Sequence, residues 1–471
     1  MEPQWPTLGQ QPRLFVDWQD VDRRENVTRV FHQAVRYGSG PVLRQEMPWE
    51  QHPGMTASVI YDPEQRVFKA WYMAGCYSTA HRHVQCLALS ADGVHWERPN
   101  LGVHEALGST RNNIVIPASH HDGMDHFESV LKDPFDPDPN RRYKALGWSS
   151  YDWDGPLAGI YTAVSPDGIN WSHGSEPVFR FHPRPGTADL GPVGDAQSLM
   201  IDARRRRYAA CLRGTPERLV SWSDDFSQWT PPQPCLAPAY EEEALYNHTA
   251  FTYGEHYLGI LTHFEKGARA QTQVLRLLIS RDGQRWLRSE GPPLLPLGEI
   301  GEWDRFQLLL TGAPPVQVGD RLHLYYRGTA RRHNKVPREY DPSIAADQDP
   351  RSMAIGLATL RADGFASVGA SFDGGTVTTV PMRVDGEQLL LNVKADYGEV
   401  RVACLDEQFA PIAGYSAEEC LPVQVDAVAA PVRWGAGHGC AGLNQRPVRL
   451  AFHLRNARLY AYRCTSGAAA A

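Results

Sequence analysis

The chain has 471 residues, too many for one ordinary core, so it either divides into domains or uses a modular architecture. Hydrophobic residues make up 42% and charged residues 21%, a soluble globular balance, and the net charge of -7 excludes the basic footprint of a nucleic-acid binder. No run of about 18 apolar residues could span a membrane and no secretion-signal pattern opens the chain, so no membrane partner is expected. The expected location is cytoplasmic, or secreted or periplasmic if a signal has been removed.

In chain order, one unit recurs five times. The first begins as Ser58-Val59-Ile60-Tyr61, turns at Asp62-Pro63, and returns as Phe68-Lys69-Ala70-Trp71-Tyr72. It closes on Ser90-Ala91-Asp92-Gly93-Val94-His95-Trp96. The second runs from Ser129 through Tyr143–Leu146 to Ser165-Pro166-Asp167-Gly168-Ile169-Asn170-Trp171. The third runs from Ser198 through Tyr208–Cys211 to the degenerate Ser223-Asp224-Asp225-Phe226-Ser227-Gln228-Trp229. The fourth runs from Ala250 through Tyr257–Ile260 to Ser280-Arg281-Asp282-Gly283-Gln284-Arg285-Trp286. The fifth pairs Val316–Val318 with Leu322–Tyr326 and ends in the eroded Arg361-Ala362-Asp363-Gly364-Phe365.

Asp-Gly supplies the positive φ of a tight turn, and the Trp anchors the returning strand. Each unit is therefore a four-stranded antiparallel sheet, with strands A to D and hairpins joining A to B and C to D. Five such units in radial repeat predict an all-β fold, a five-bladed β-propeller over residues 1–369. From about Ala370 the strands are shorter and lack the repeat, which predicts a β-sandwich over 370–465 followed by a tail, 466–471. The eight cysteines have no C-x-x-C spacing, so a zinc site or redox pair is unsupported and they read as small buried hydrophobes.

In this register the short A–B and C–D turns occupy one face, and the long B–C loops and D-to-A crossings occupy the other. Lys132-Asp133-Pro134 falls in an A–B turn and is rejected as catalytic. The strand-A starts deliver acidic groups to the other face. Glu128, Asp195 and Glu243 are the expected catalytic carboxylates, with Asp125 and Asp304 in reserve. Glu50, His52, His126, Trp153, Arg213, Tyr246, His248, Gln307 and Arg327 are the expected substrate-binding residues, with Tyr77, His81, Trp148, Asp152, His263, Glu265 and His333 also on the B–C loops. Carboxylates supply acid and base, Arg and His hold hydroxyls, and Trp stacks on a sugar ring.

The Ser-x-Asp-Gly-x-x-Trp units, Pro48-Trp49-Glu50 and Leu454-Arg455-Asn456-Ala457-Arg458-Leu459-Tyr460 resemble the glycoside hydrolase superfamily of families 32, 43, 62 and 68, in particular a bacterial family 32-like group. That resemblance implies a propeller with three acids at the A strands of successive blades. The chain departs from it in blade 1, which lacks Asn-Asp-Pro-Asn-Gly, and in blade 2, where Glu128 stands for Asp.

The expected activity is hydrolysis of a glycosidic bond, with a furanoside among the substrates considered. The alternatives are transfer of the glycosyl group to phosphate and sugar binding without catalysis. A carbohydrate is the expected partner, with no nucleic acid. No cofactor is required; a Ca²⁺ ion in the central channel is compatible with the converging oxygens, although no ligand set is spelled out.

Overall fold

The computed structural model describes residues 5–50, 57–75, 83–117, 124, 126–149, 155, 157–182, 193–267, 270–333 and 353–467. Among them the regular structure is β-strand, apart from short 3-10 turns.

Blade 1 is Ala57–Asp62, Val67–Gly75, His83–Ser90 and Ile114–Ile116. Blade 2 is His126–Lys132, Tyr143–Ser149 and Gly159–Ser165, with a fourth strand in two pieces, Ser172–His173 and Phe179–Arg180. Blade 3 is Ser198–Asp202, Arg207–Arg213, Arg218–Ser223 and Gln233–Leu236. Blade 4 is Glu243–Tyr253, His256–Glu265, Thr272–Ser280 and Leu287–Arg288. In blade 5, Gln307–Leu310 and Val316–Val318 both pair with Arg321–Thr329, which pairs with Ala354–Arg361. Strand A of each blade contacts strand A of the next, and blade 5 returns to blade 1, which closes the ring.

Buried hydroxyls on the A strands tie the ring together. Ser58 Oγ accepts from the Val130 amide at 2.7 Å, and Ser129 Oγ from the Leu199 amide at 3.0 Å. Ser198 donates to the His248 carbonyl at 2.5 Å, and Thr249 to the Thr311 carbonyl at 3.2 Å. Ser129 also donates across the ring to the Gly312 carbonyl.

The recurrent turn is built as its sequence dictates. In the first copy Ser90 Oγ accepts from the Gly93 amide at 2.8 Å, and Asp92 Oδ1 accepts from the Val94 and His95 amides, both at 2.8 Å. Gly93, Gly168 and Gly283 have φ of 78°, 80° and 74°, and in the degenerate copy Phe226 takes the same left-handed conformation at 64°. The Asp of the A–B turn is structural too in blades 1, 2 and 3. Tyr143 reaches back to Asp62 at 2.6 Å, Tyr208 to Asp133 at 2.5 Å, and Tyr257 to Asp202 at 2.5 Å, each bond joining one blade to the one before it. Asp133 of the Lys132-Asp133-Pro134 segment is thus consumed by a blade-to-blade contact.

Two features of the sequence register are corrected. The fifth Asp-Gly turn does not lead to a fourth blade strand. That strand comes from the N-terminus, with Val35 opposite Thr359 and Arg36 opposite Ala358. The segment after the turn, Ala366–Ala370, instead joins the sandwich.

The sandwich also recruits the N-terminal region. Thr7–Leu8, Arg13–Leu14, Val21–Glu25 and Thr28–Phe31 all pair with C-terminal strands, so residues 7–31 belong with 366–465 rather than with the propeller. Burial explains this. Leu8 and Phe15 enter the core shared by the two C-terminal sheets, alongside Val377, Leu391, Val402, Trp434 and Phe452.

Candidate active site

Two β-bulges create the site. In strand A of blade 2 the pairing register shifts between Phe127 and Ser129, and Glu128 is the extra residue. In strand A of blade 4 it shifts between Leu245 and Asn247, and Tyr246 is the extra residue. A bulge re-aims the side chain it carries.

Glu128 Oε1 accepts from Trp148 Nε1 at 2.9 Å and lies 3.6 Å from His126 Nε2. The Trp148 and His126 rings meet edge to face at 4.5 Å. Gly312 of blade 5 packs directly against the Glu128 backbone, and a Cβ at 312 would stand 1.9 Å from the Glu128 carbonyl oxygen. Only glycine allows the two blades to approach so closely.

Asp195 leads into strand A of blade 3. Ala196 behind it has a φ of 64°. Asp195 Oδ1 is paired with Arg213 Nη1 at 2.5 Å, and the Arg213 guanidinium lies 4.5 Å from the centre of the Tyr246 ring. Arg327, from the end of strand B in blade 5, reaches Gln273 and Gln307 at 3.4 Å each. His333 lies 3.3 Å from Gln307 and stacks edge-on against Tyr246 at 5.0 Å.

Tyr246 is where these groups meet. Burial is the main force raising its phenol, to about 12. Asp195 and Glu128 raise it further, while Arg327 and Arg213 oppose them. Carboxylates from blades 2 and 3 and guanidinium groups from blades 3 and 5 therefore act on one phenol at the hub. Burial, followed by the charges of Arg327 and Arg213, pushes His333 down to about 4, with Asp195 opposing, so His333 is neutral at neutral pH.

The structure thus links Asp195, Arg213, Tyr246, His333, Gln307 and Arg327 in one chain of contacts, with Glu128, beside His126, near enough to act on Tyr246 and Arg327 by charge. It gives the other described residues different partners. Glu243 is bound by Arg288 at 2.8 Å, His263 at 3.0 Å and the Ala239 amide at 2.5 Å. Asp304 is fully buried and is held by Arg36 at 2.7 Å and Tyr326 at 2.8 Å, which locks the N-terminal strand into blade 5. Glu50 accepts from Arg98 Nε at 2.8 Å, the Glu46 amide at 2.9 Å and the Tyr72 hydroxyl, and so closes its own loop. His248 is buried edge-on against Trp286 at 4.4 Å within blade 4, and burial followed by the charge of Arg218 holds its pKa well below the usual range. Asp125, His52 and Trp153 lie outside the described residues.

Gln273 went unnoticed in the sequence. It follows Gln271 and Thr272 at the polar start of its strand, and becomes visible only when Gln307 of the next blade pairs beside it. Among the described residues no group of three or more His, Cys, Asp or Glu is placed to hold a metal ion.

The chain resembles several solved structures. One described as a glycoside hydrolase has a TM-score of 0.50 at 12% identity, covering 69% of this chain and 92% of that one. A structure described under the GH130 family of mannoside phosphorylases, containing glycoside hydrolases that target β-1,2 mannosidic linkages in Candida mannan, has a TM-score of 0.49 at 14% identity, covering 70% and 94%. A glycosyl hydrolase from Bacteroides ovatus has a TM-score of 0.49 at 15% identity, covering 72% and 97%. At these identities the likeness is one of fold. No protein-family model matches the sequence, and no curated protein matches it. Among the described residues no helix is long and apolar enough to cross a membrane.

Proposed function

We propose that the protein cleaves a glycosidic bond at the propeller hub, with Glu128 and Asp195 as its two working carboxylates. The observation that carries this reading is their convergence from adjacent blades on Tyr246, flanked by Arg213 and Arg327. Asp195, ion-paired with Arg213, takes the anionic role and activates water or attacks the anomeric carbon. Glu128, buried and oriented through Oε1 by Trp148, protonates the departing glycosidic oxygen. Arg327, Gln307 and neutral His333 hold sugar hydroxyls. Glu243 and Asp304 are left out of the chemistry because their partners, Arg288 and His263 for one and Arg36 and Tyr326 for the other, are not among the groups around Tyr246.

The reading places the chain with the five-bladed propeller glycosidases of the family 32 and 43 type, with its acids on blades 2 and 3 rather than on the blade-1 motif. A second reading has its own support. Two guanidinium groups beside the Tyr246 phenol suit an anionic acceptor, so phosphate would replace water and the product would be a glycosyl phosphate.

Turnover of chromogenic pyranosides and furanosides, with and without inorganic phosphate, tests both. Turnover independent of phosphate supports hydrolysis, and turnover that requires it supports phosphorolysis. Saturable sugar binding with no product over days would replace both with a binding role.

A further inference from the structure

Directly behind Asp195 and Tyr246, on strand C of blade 3, lies Arg218, whose side chain is fully buried. Its Nη1 donates to the Tyr246 carbonyl at 3.0 Å, and its Nη2 donates to the Ala196 carbonyl at 3.0 Å and the Cys211 carbonyl at 3.1 Å. Burial lowers its pKa to about 10, so it remains a cation at neutral pH. Among the described residues this cation is held by carbonyls alone, a costly way to fill a blade interior that Val220, Leu236 and Leu245 otherwise line with apolar groups. What it gains is geometric. Two of its three acceptors belong to the backbone irregularities that present the site, the left-handed residue after Asp195 and the bulge at Tyr246.

We propose that Arg218 is a positioning residue that fixes Asp195 of blade 3 and Tyr246 of blade 4 at one working separation, an inference that rests on the hub being the reaction site. A planar fork can hold carbonyls on two blades at once, whereas an ammonium group cannot reproduce that geometry. The groups facing Asp195 are Arg213, Tyr246, His333 and Arg218. Arg218 is distinguished among them by binding backbone beneath the site.

The test compares Arg218→Lys and Arg218→Met with the wild type in the full chain. Turnover is expressed per folded molecule, with the folded fraction taken from a thermal melt. A positioning role predicts that kcat falls by about 10²-fold for Arg218→Met, that KM changes by less than about threefold because Arg218 does not touch substrate, and that Arg218→Lys loses less. A purely structural role would lower the melting temperature and leave kcat per folded molecule unchanged, and that result would overturn the proposal. If Arg218→Met does not fold, Arg218→Lys carries the same kcat comparison. If the wild type turns over no glycoside, the reading of the hub fails. A crystal structure of Arg218→Lys then tests this inference separately, and Asp195 and Tyr246 unmoved within it would sink it.

A separate observation concerns the sandwich. Cys440 and Cys464, both buried, have their sulfurs 3.1 Å apart, although 24 residues separate them in sequence. We infer that this pair forms a disulfide when a low-molecular-weight disulfide is supplied. One protein thiolate attacks that reagent and releases one small thiolate. The second protein thiolate then displaces the other, so the protein loses two electrons and two protons and the reagent becomes two thiols. Treatment with glutathione disulfide, followed by alkylation in denaturant, should leave six of the eight cysteines alkylated and yield a peptide linking 440 to 464. Cys440→Ser should retain seven alkylated thiols. Eight alkylated cysteines in the treated wild type, or linkage of other pairs, would overturn it.

Discussion

Replacing Gly312 by alanine adds one carbon at the centre of the propeller. That carbon would lie 1.9 Å from the Glu128 carbonyl oxygen. A carbon settles against a carbonyl oxygen at roughly 3.3 Å, so the two strands must part by about 1.4 Å. The obstacle is backbone, not the end of a flexible side chain, and the shift falls on the bulge that aims Glu128. Overpacking of this kind costs about 1–3 kcal/mol, and a displacement near 1 Å in a catalytic group costs about 10²-fold in rate. A melt and steady-state kinetics on the best substrate from the glycoside screen read the two effects. The expected variant is folded, melts a few degrees lower, and loses about two orders of magnitude in kcat. A variant that melts and turns over like the wild type would refute the argument that Glu128 must be held in place by this contact.

Other outcomes follow from the same contacts. Arg36→Met leaves Asp304 buried without its cation and frees the strand that completes blade 5, so it should destabilise the fold by about 3–5 kcal/mol in denaturant unfolding. Glu243→Gln should lower stability through the loss of the Arg288 contact while leaving kcat within about threefold of wild type, measured on folded protein. His256 is buried beside Asp17 and Arg281 and is held down to about 4, chiefly by burial and then by Arg281, with Asp17 opposing. Its folded pKa lies below the unfolded value near 6.5, so its contribution is complete above that value and is lost as pH falls through 6.5 toward about 4. Urea midpoints measured across that range should fall less steeply in His256→Gln.

What the sequence disclosed was local. Ser90-Ala91-Asp92-Gly93 is legible because its own hydroxyl, carboxylate and positive φ build the turn without outside help. The strand-A starts can be counted forward from those turns, which puts Glu128 and Asp195 at the leading ends of their strands, where the structure also has them. Partners distant in sequence were not accessible. Asp304 and Glu243 look like Asp195 in the sequence, and nothing near them names their partners, Arg36 from 268 residues away and Arg288. The sequence reads residues 7–31 as part of the propeller because nothing in them names the partner strands, which lie more than 330 residues downstream. The bulge at Glu128 leaves no trace in residue pattern, since one extra residue in a strand buried from His126 to Leu131 breaks no alternation.

The most direct test is the kcat of Glu128→Gln and Asp195→Asn beside Glu243→Gln, on protein shown to be folded, with the substrate that gives the fastest wild-type turnover. The account predicts losses of about 10²–10⁴-fold for the first two and near-wild-type turnover for the third. Full activity in Asp195→Asn, or an equal loss in Glu243→Gln, would contradict it.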